Sequence, residues 1–261
     1  MLKYPSINPT IVKLGPVQIR WYGVMYILGF TVSYLLVKYQ IRKKGLHIDT
    51  AVINDLFLYL IIGLIVGARI GYVLFYNLAF YFSHPLKLLA VWEGGMSFHG
   101  GLIGIVLSGI FFMRKRRIDF WQLADLLAVT APIGLGLGRL GNFINGELFG
   151  RVTSLPWGMV FPAGGDLPRH PSQLYEFLLE GVFLFVILWR IKEFQLKKGM
   201  LFSLFVVLYG VFRFFVEFFR EPDPQLGFIL PFLTMGQILS ILMVIVGLVL
   251  IYARTRAEKT G

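Results

Sequence analysis

Residues 138–151 read GRLGNFINGELFGR, a polar island in a greasy chain. The run that leads into it, FWQLADLLAVTAPIGLGL over 120–137, is almost wholly apolar. Within a few residues the island then presents Arg139, Asn142, Asn145, Glu147 and Arg151, spaced by Gly138, Gly141, Gly146 and Gly150. A polar group beside hydrocarbon costs several kcal/mol unless it is paired, roughly 2.5–3.5 for an arginine at a bilayer centre. The island therefore needs partners. A polar loop between helices would meet that need blandly; an anionic ligand would meet it more specifically, with glycines letting backbone come close to it.

Outward from the island, the apolar character continues in both directions. The chain has 261 residues, 57% of them hydrophobic, and a mean hydropathy of +0.73, far above a soluble domain. Seven segments are long and apolar enough to span a bilayer as helices: about 18–38, 51–76, 97–113, 120–137, 174–189, 200–219 and 235–252. The expected fold class is thus an all-α integral membrane protein, a bundle of seven transmembrane helices making one domain over 1–261. Unbroken apolar runs exclude a barrel, whose short strands would alternate. No cleavable leader is expected, because the first greasy stretch begins only near Ile19.

Charge orients this bundle. Lys38, Arg42, Lys43 and Lys44 follow the first span, Arg114–Arg117 the third, Arg190, Lys192, Lys197 and Lys198 the fifth, and Arg254, Arg256 and Lys259 the last. Most of the 25 Lys and Arg residues thus lie on one side, which the positive-inside bias makes cytoplasmic. The N-terminus is then outside and the C-terminus cytoplasmic. Residues 1–17 form an extracytoplasmic arm, and 138–173 a signature loop with a small Pro- and Gly-rich cap. A formal charge of +11 would suggest nucleic acid in a soluble protein; here topology accounts for it, and no nucleic-acid partner is expected. With no cysteine, thiolate metal sites and disulfides are excluded.

Other polar residues fall in or beside the spans. His99 lies in GGMSFHGG, at the outer end of the third span, and could exchange a proton near neutral pH. A lone histidine is as readily a structural residue; His47, His84 and His170, in loops, rank below it. Arg213 and Glu217 share a helix face in the sixth span, Tyr209 lies a turn before them, and Arg220 continues the same side outward. A mutually neutralising pair is the dull reading of Arg213 and Glu217. Arg69 sits in the second span, with Tyr76 toward its outer end, and Tyr22 in the first. Glu176 and Glu180, four apart in the fifth, would repel unless one were protonated or paired with an arginine. Gly63, Gly67 and Gly71 recur every four residues, a small-residue stripe that favours close helix packing. The formal G-x-G-x-x-G at 136–141 follows a membrane helix rather than a strand, so a dinucleotide fingerprint is rejected. The residues alone support a buried phospholipid site in the outer half of the bilayer, since planar guanidinium forks suit phosphate. Transfer chemistry, lipid transport and, more weakly, intramembrane proteolysis remain open at this point.

The island, with GGMSFHGG (94–101) upstream and YGVFRFFVEFFREPD (209–223) downstream, resembles the bacterial prolipoprotein diacylglyceryl transferases. The likeness extends through RWYGVMY (20–26), GARIGYVLFYN (67–77), HPSQLYE (170–176) and MGQILS (235–240). The family's signature positions are matched by Gly138, Arg139, Gly141, Asn142, Phe143, Asn145, Glu147 and Gly150. The resemblance implies a multi-pass enzyme of the bacterial cytoplasmic (inner) membrane, with its active site toward the extracytoplasmic side and no cofactor or metal. It implies transfer of the diacylglyceryl group of phosphatidylglycerol to the lipobox cysteine of a prolipoprotein signal peptide, forming a thioether and releasing glycerol phosphate. Phosphatidylglycerol, that precursor and membrane lipid are the expected partners. The expected catalytic residues are His99, Arg139 and Arg213. Substrate contact or support is expected from Arg139, Asn142, Asn145, Glu147, Gly150, Tyr22, Arg69, Tyr76, Tyr209, Glu217 and Arg220, with Asn142, Asn145 and Glu147 orienting the head group and holding the arginines.

Overall fold

The computed structural model describes residues 2–15, 17–222, 227–230 and 233–256. Lys259 and parts of the connection after Arg220 lie outside the described residues. The chain is mostly helical, in the order α1 (Trp21–Lys43), α2 (Thr50–Tyr76), a short α3 (Leu78–Ser83), α4 (Phe98–Arg116), α5 (Phe120–Asn145), α6 (Ser172–Glu176), α7 (Leu184–Ile191), α8 (Met200–Val216) and α9 (Met235–Arg256). Five of these, α1, α2, α4, α5 and α9, are long and apolar enough to cross a membrane. The chain is a multi-pass membrane protein. Among the described residues, strand is confined to two-stranded pieces, Thr10–Leu14 with Val17–Arg20 and Phe228–Leu230 with Leu233–Thr234.

The remaining two apolar segments fold as helix with a difference. Residues 172–191 are helical throughout, but Phe177–Phe183 between α6 and α7 is π-helical. There the N–H of Leu184 reaches back five residues to the Leu179 carbonyl. Apolar periodicity does not foretell such a widened turn, which is frequent at functional sites. Helix α8 is apolar but only 17 residues long.

The end of α5 also departs from expectation. Residues 138–145, read from sequence as part of a loop, are its last two turns. Gly138 and Gly141 do not stop the helix. It stops at Gly146, which takes φ +67°, with Gly146 N–H donating to Phe143 O and Glu147 N–H to Asn142 O. This paired return of bonds is a Schellman cap, which favours glycine in the left-handed position.

The described residues form two compact units. One comprises 15–18 and 38–120. In it α2 and α4 run antiparallel at very close range. A Cβ on Gly67 would lie 2.4 Å from Gly100 O, and one on Gly104 would lie 2.0 Å from Gly63 O. The stripe Gly63, Gly67, Gly71 therefore meets a second stripe, Gly100, Gly104 and Ser108, whose equal spacing completes the interface.

The other unit comprises 1–14, 19–37 and 121–261 as far as they are described. Its apolar centre is Val129, Leu184, Leu188 and Leu201, with Tyr209 and Phe212 packed against it. Helices α1 and α5 cross where Ser33 and Thr130 share a 2.6 Å hydrogen bond and Tyr22 lies against Gly141. Helix α5 meets the π-helical turn at Gly136 and Gly181, where either Cβ would sit within 3.0 Å of the other's Cα. Helices α8 and α9 approach at Gly210 and Gly247. Short bridges, Val152 with Arg169 and Met159 with Arg169, fold the cap, and Leu2 of the N-terminal arm pairs with Met159.

Candidate active site

Three helical segments bring charge together inside the larger unit. Arg139 comes from the last two turns of α5, Glu176 and Glu180 from α6 and the π-helical turn, and Arg213 and Glu217 from the end of α8. Nε of Arg139 lies 2.5 Å from Oε2 of Glu176, and its Nη2 lies 3.9 Å from Glu180. Arg213 brings Nη1 to 3.3 Å from Glu176 and 3.5 Å from Glu180, while Nη2 lies 2.9 Å from Glu217. Arg220 closes the chain of charges at 3.9 Å from Glu217. The like-charged pair at 176 and 180 thus faces two arginines, one of the two outcomes that its spacing left open. Among the described residues, three arginines face three glutamates in this cluster.

Burial makes this arrangement consequential. Glu176 and Glu180 are sealed from solvent, whereas the side chains of Arg139 and Arg213 keep 14% and 11% exposure. The carboxylates thus lie behind the guanidiniums. Although close, several of these contacts are not aligned as hydrogen bonds, and Nη1 of Arg213 has no aligned acceptor among the described residues. Buried donors without acceptors are costly, and an anion could satisfy them. Thr234 Oγ1 donates to Glu217 Oε1 over 3.2 Å, and Gly236 leaves room for that carboxylate, since a Cβ there would lie 2.5 Å from it. Tyr209 lies close enough to Arg139, Glu180 and Arg213 to feel their charge. Tyr22 bonds Tyr26 at 3.4 Å between hydroxyls, and Tyr26 feels the charge of Arg139.

The rest of the island is arranged otherwise than its sequence suggests. Glu147 does not hold an arginine. Its Oε1 accepts from Asn142 Nδ2 at 2.8 Å and Asn145 Nδ2 at 3.1 Å, and its carbonyl accepts from Gln173 at 2.6 Å. Glu176, Glu180 and Glu217 hold the arginines instead. The next residue, Leu148, adopts φ +57°, a conformation rare for a branched aliphatic residue, and its carbonyl accepts from Ser172. Gly150 gives room to backbone, since a Cβ there would lie 2.3 Å from Phe219 O. It forms a bridge with Arg220, whose carbonyl also accepts from Arg151 Nε at 2.9 Å. Outside the island, His170 Nδ1 lies 3.1 Å from the Tyr175 hydroxyl. Burial lowers the pKa of His170 below the usual imidazole value.

The other expected site residues belong to the smaller unit. His99 is exposed in the first turn of α4, its ring edge-on to Phe98, and Ser97 caps that helix by accepting from Gly100 N–H. Tyr76 is exposed at the end of α2 and stacks on Tyr72. Arg69 is buried, and its guanidinium is fully committed. Nε donates to Leu88 O, Nη1 to Gly94 O and Gly95 O, and Nη2 to Lys87 O and Ala90 O. Five donors meet five carbonyls, with the Tyr81 ring 5.0 Å away. Arg69 therefore holds the segment 87–95 in shape and has no donor left for a phosphate.

What fold and cluster define together is a polytopic membrane protein with a buried, arginine-faced ionic centre reached from helix ends. The chain matches the prolipoprotein diacylglyceryl transferase family over residues 9–253. It is 54% identical over the full length of both chains to a protein of Geobacter sulfurreducens named phosphatidylglycerol–prolipoprotein diacylglyceryl transferase. It is 52% identical to a namesake of Desulfotalea psychrophila, covering 98% of this chain and 96% of that one. A third, of Francisella tularensis subsp. mediasiatica, is 49% identical over 99% and 98%. The chain belongs to the prolipoprotein diacylglyceryl transferase family and is a transferase.

Proposed function

We propose that this transferase moves the diacylglyceryl group of phosphatidylglycerol onto the thiol of a lipobox cysteine in a prolipoprotein. The observation that carries this reading is the pairing of Arg139 and Arg213, from separate helices, over one pair of carboxylates. Their partly exposed faces offer planar donors to a phosphodiester, while Glu176 and Glu180 fix their orientation from behind. In the reaction, sulfur attacks the glyceryl carbon that bears the phosphate. The S–C bond forms, that C–O bond breaks, and its electron pair leaves with glycerol phosphate. Charge accumulates on the departing phosphate, so arginine contacts that strengthen at this moment lower the barrier.

The thiol must lose its proton, because the thiolate is the nucleophile and a free cysteine has a pKa of roughly 8.5. His99 takes that proton in this scheme and passes it to the leaving phosphate. The assignment rests on its chemistry and on its glycine-flanked motif at the start of α4. Asn142, Asn145 and Glu147 orient the glycerol head group as one bonded set, with Tyr22, Tyr209, Glu217 and Arg220 supporting the arginines and Tyr76 in a further supporting role. Gly150 and Arg69 contribute by shaping backbone. Seven spans, with the N-terminus outside, the C-terminus cytoplasmic and the site toward the extracytoplasmic face of the inner membrane, complete the proposal. The basic clusters after alternate spans support that orientation.

Purified protein given phosphatidylglycerol and a lipobox peptide tests the reading. Lipid transferred to the cysteine with release of glycerol phosphate is the expected result. Peptide cleavage, or lipid movement without chemistry, would overturn it. Replacement His99→Gln should abolish transfer at every pH near neutrality, and substantial activity there would remove the base from the scheme.

A further inference from the structure

The C-terminal end of α4 carries a second arginine pair, within the smaller unit and without an assigned task. Ile110, Met113, Arg114, Arg117, Ile118 and Phe120 line a cavity of about 340 Å³. Four of its walls are apolar and two carry guanidinium groups. Neighbouring cations are already engaged: Lys115 donates to the Tyr59 hydroxyl at 3.2 Å, and Arg116 pairs with Asp55 at 2.5 Å. The side chains of Arg114 and Arg117 make no hydrogen bond or ion pair with any described residue.

Backbone geometry sharpens the point. Arg117 occupies the left-handed region at φ 53° and ψ 40°, the helix-ending position that glycine fills most cheaply. Its N–H returns to Arg114 O and Met113 O, and Ile118 N–H returns to Met113 O. The turn folds Arg117 back beside Arg114 at the same cavity. A helix C-terminus and a positive-inside loop both welcome cations without any ligand. Neither needs an arginine in a strained conformation, and neither accounts for a partly open cavity that the two charges share with four apolar side chains.

We propose that this cavity binds the phosphate of an anionic phospholipid. Arg114 and Arg117 grip the phosphate, and Ile110, Met113 and Phe120 line the space for the adjoining hydrocarbon. The size suits a compact ligand group, and the charge and apolar lining together select a lipid over a free anion. The site shares no residue with the Arg139–Arg213 cluster and does not depend on how that cluster is read.

The test uses full-length protein in phosphatidylcholine-containing micelles, titrated with phosphatidic acid or, in parallel, inorganic phosphate, with thermal unfolding as readout. Two variants accompany the parent. Arg114→Lys/Arg117→Lys keeps the charge and hence the topology signal but loses both planar forks. Arg117→Gly suits the left-handed turn and folds at least as well. The expected result is a rise in unfolding temperature with phosphatidic acid, with each variant needing about tenfold more lipid for the same rise. Equal responses from the parent and the double-lysine variant would overturn the proposal in favour of charge alone. An equal response from Arg117→Gly would overturn it too, as would an equal rise with inorganic phosphate.

Discussion

Arg139 and Glu176 meet at 2.5 Å, and the carboxylate oxygen between them is the one Arg213 approaches to 3.3 Å. One buried carboxylate thus sets the distance between two guanidiniums from different helices.

Removing that charge should be expensive. Breaking a buried ion pair by deleting one partner costs about 3–5 kcal/mol, because the other partner is left uncompensated. Glu176→Gln is expected to lower the thermal unfolding midpoint in micelles and to weaken phosphatidylglycerol turnover together. Turnover lost with unchanged stability would mean that Glu176 meets substrate rather than holding the arginines.

Arg213→Lys keeps a positive charge but supplies a point donor in place of a planar fork. Loss of one strong transition-state contact is worth about 100-fold or more in kcat. We expect a fall of that order in transfer rate with the protein still folded, read from steady-state kinetics beside an unfolding curve. A variant within a few-fold of the parent would remove the phosphate role from Arg213.

The α2–α4 contact gives a stability prediction independent of chemistry. Gly104→Ala would place a methyl 2.0 Å from the Gly63 carbonyl oxygen. Overpacking a close interface costs typically about 1–3 kcal/mol. Gly138→Ala in α5 is the control, since a methyl there would meet nothing within 4 Å, and it should hold or raise the unfolding temperature because alanine favours the helix.

For Arg69→Gln, the expected phenotype is local. Five backbone carbonyls lose their donor, so the segment 87–95 should become sensitive to limited proteolysis. Any effect on phosphatidylglycerol affinity should be secondary and rescued in part by Arg69→Lys. Resistance to protease equal to that of the parent would show that these bonds are dispensable.

Much of the architecture could be read from hydrophobic runs, because helices in hydrocarbon must satisfy their own backbone and so leave long apolar stretches. The reading failed where side-chain character and backbone state part company. Residues 138–145 look like a loop because they are polar and glycine-rich, yet the helical ladder tolerates Gly138 and Gly141 and ends only where Gly146 reverses. Glu147 looked like the partner of an arginine because both fall in one motif. In space Asn142 and Asn145 reach it first, and the arginines turn to Glu176, Glu180 and Glu217. The repulsive pair four residues apart is what pointed from the sequence to an arginine partner for Glu176 or Glu180. Arg69 was less legible for a related reason: a cation in a span advertises a need for acceptors without saying that backbone carbonyls supply them.

The widened turn between α6 and α7 acts as a gauge. It sits between the sealed leucines at 184 and 188 and the acidic residue at 176, and it fixes their angular offset. Winding 177–183 at ordinary pitch without changing its length would add about one residue's worth of turn and swing everything upstream by roughly 100° around the axis. The leucines would stay anchored while the carboxylate pointed elsewhere, so the chain would keep its place in the bilayer and still lose the grip that its two basic side chains depend on.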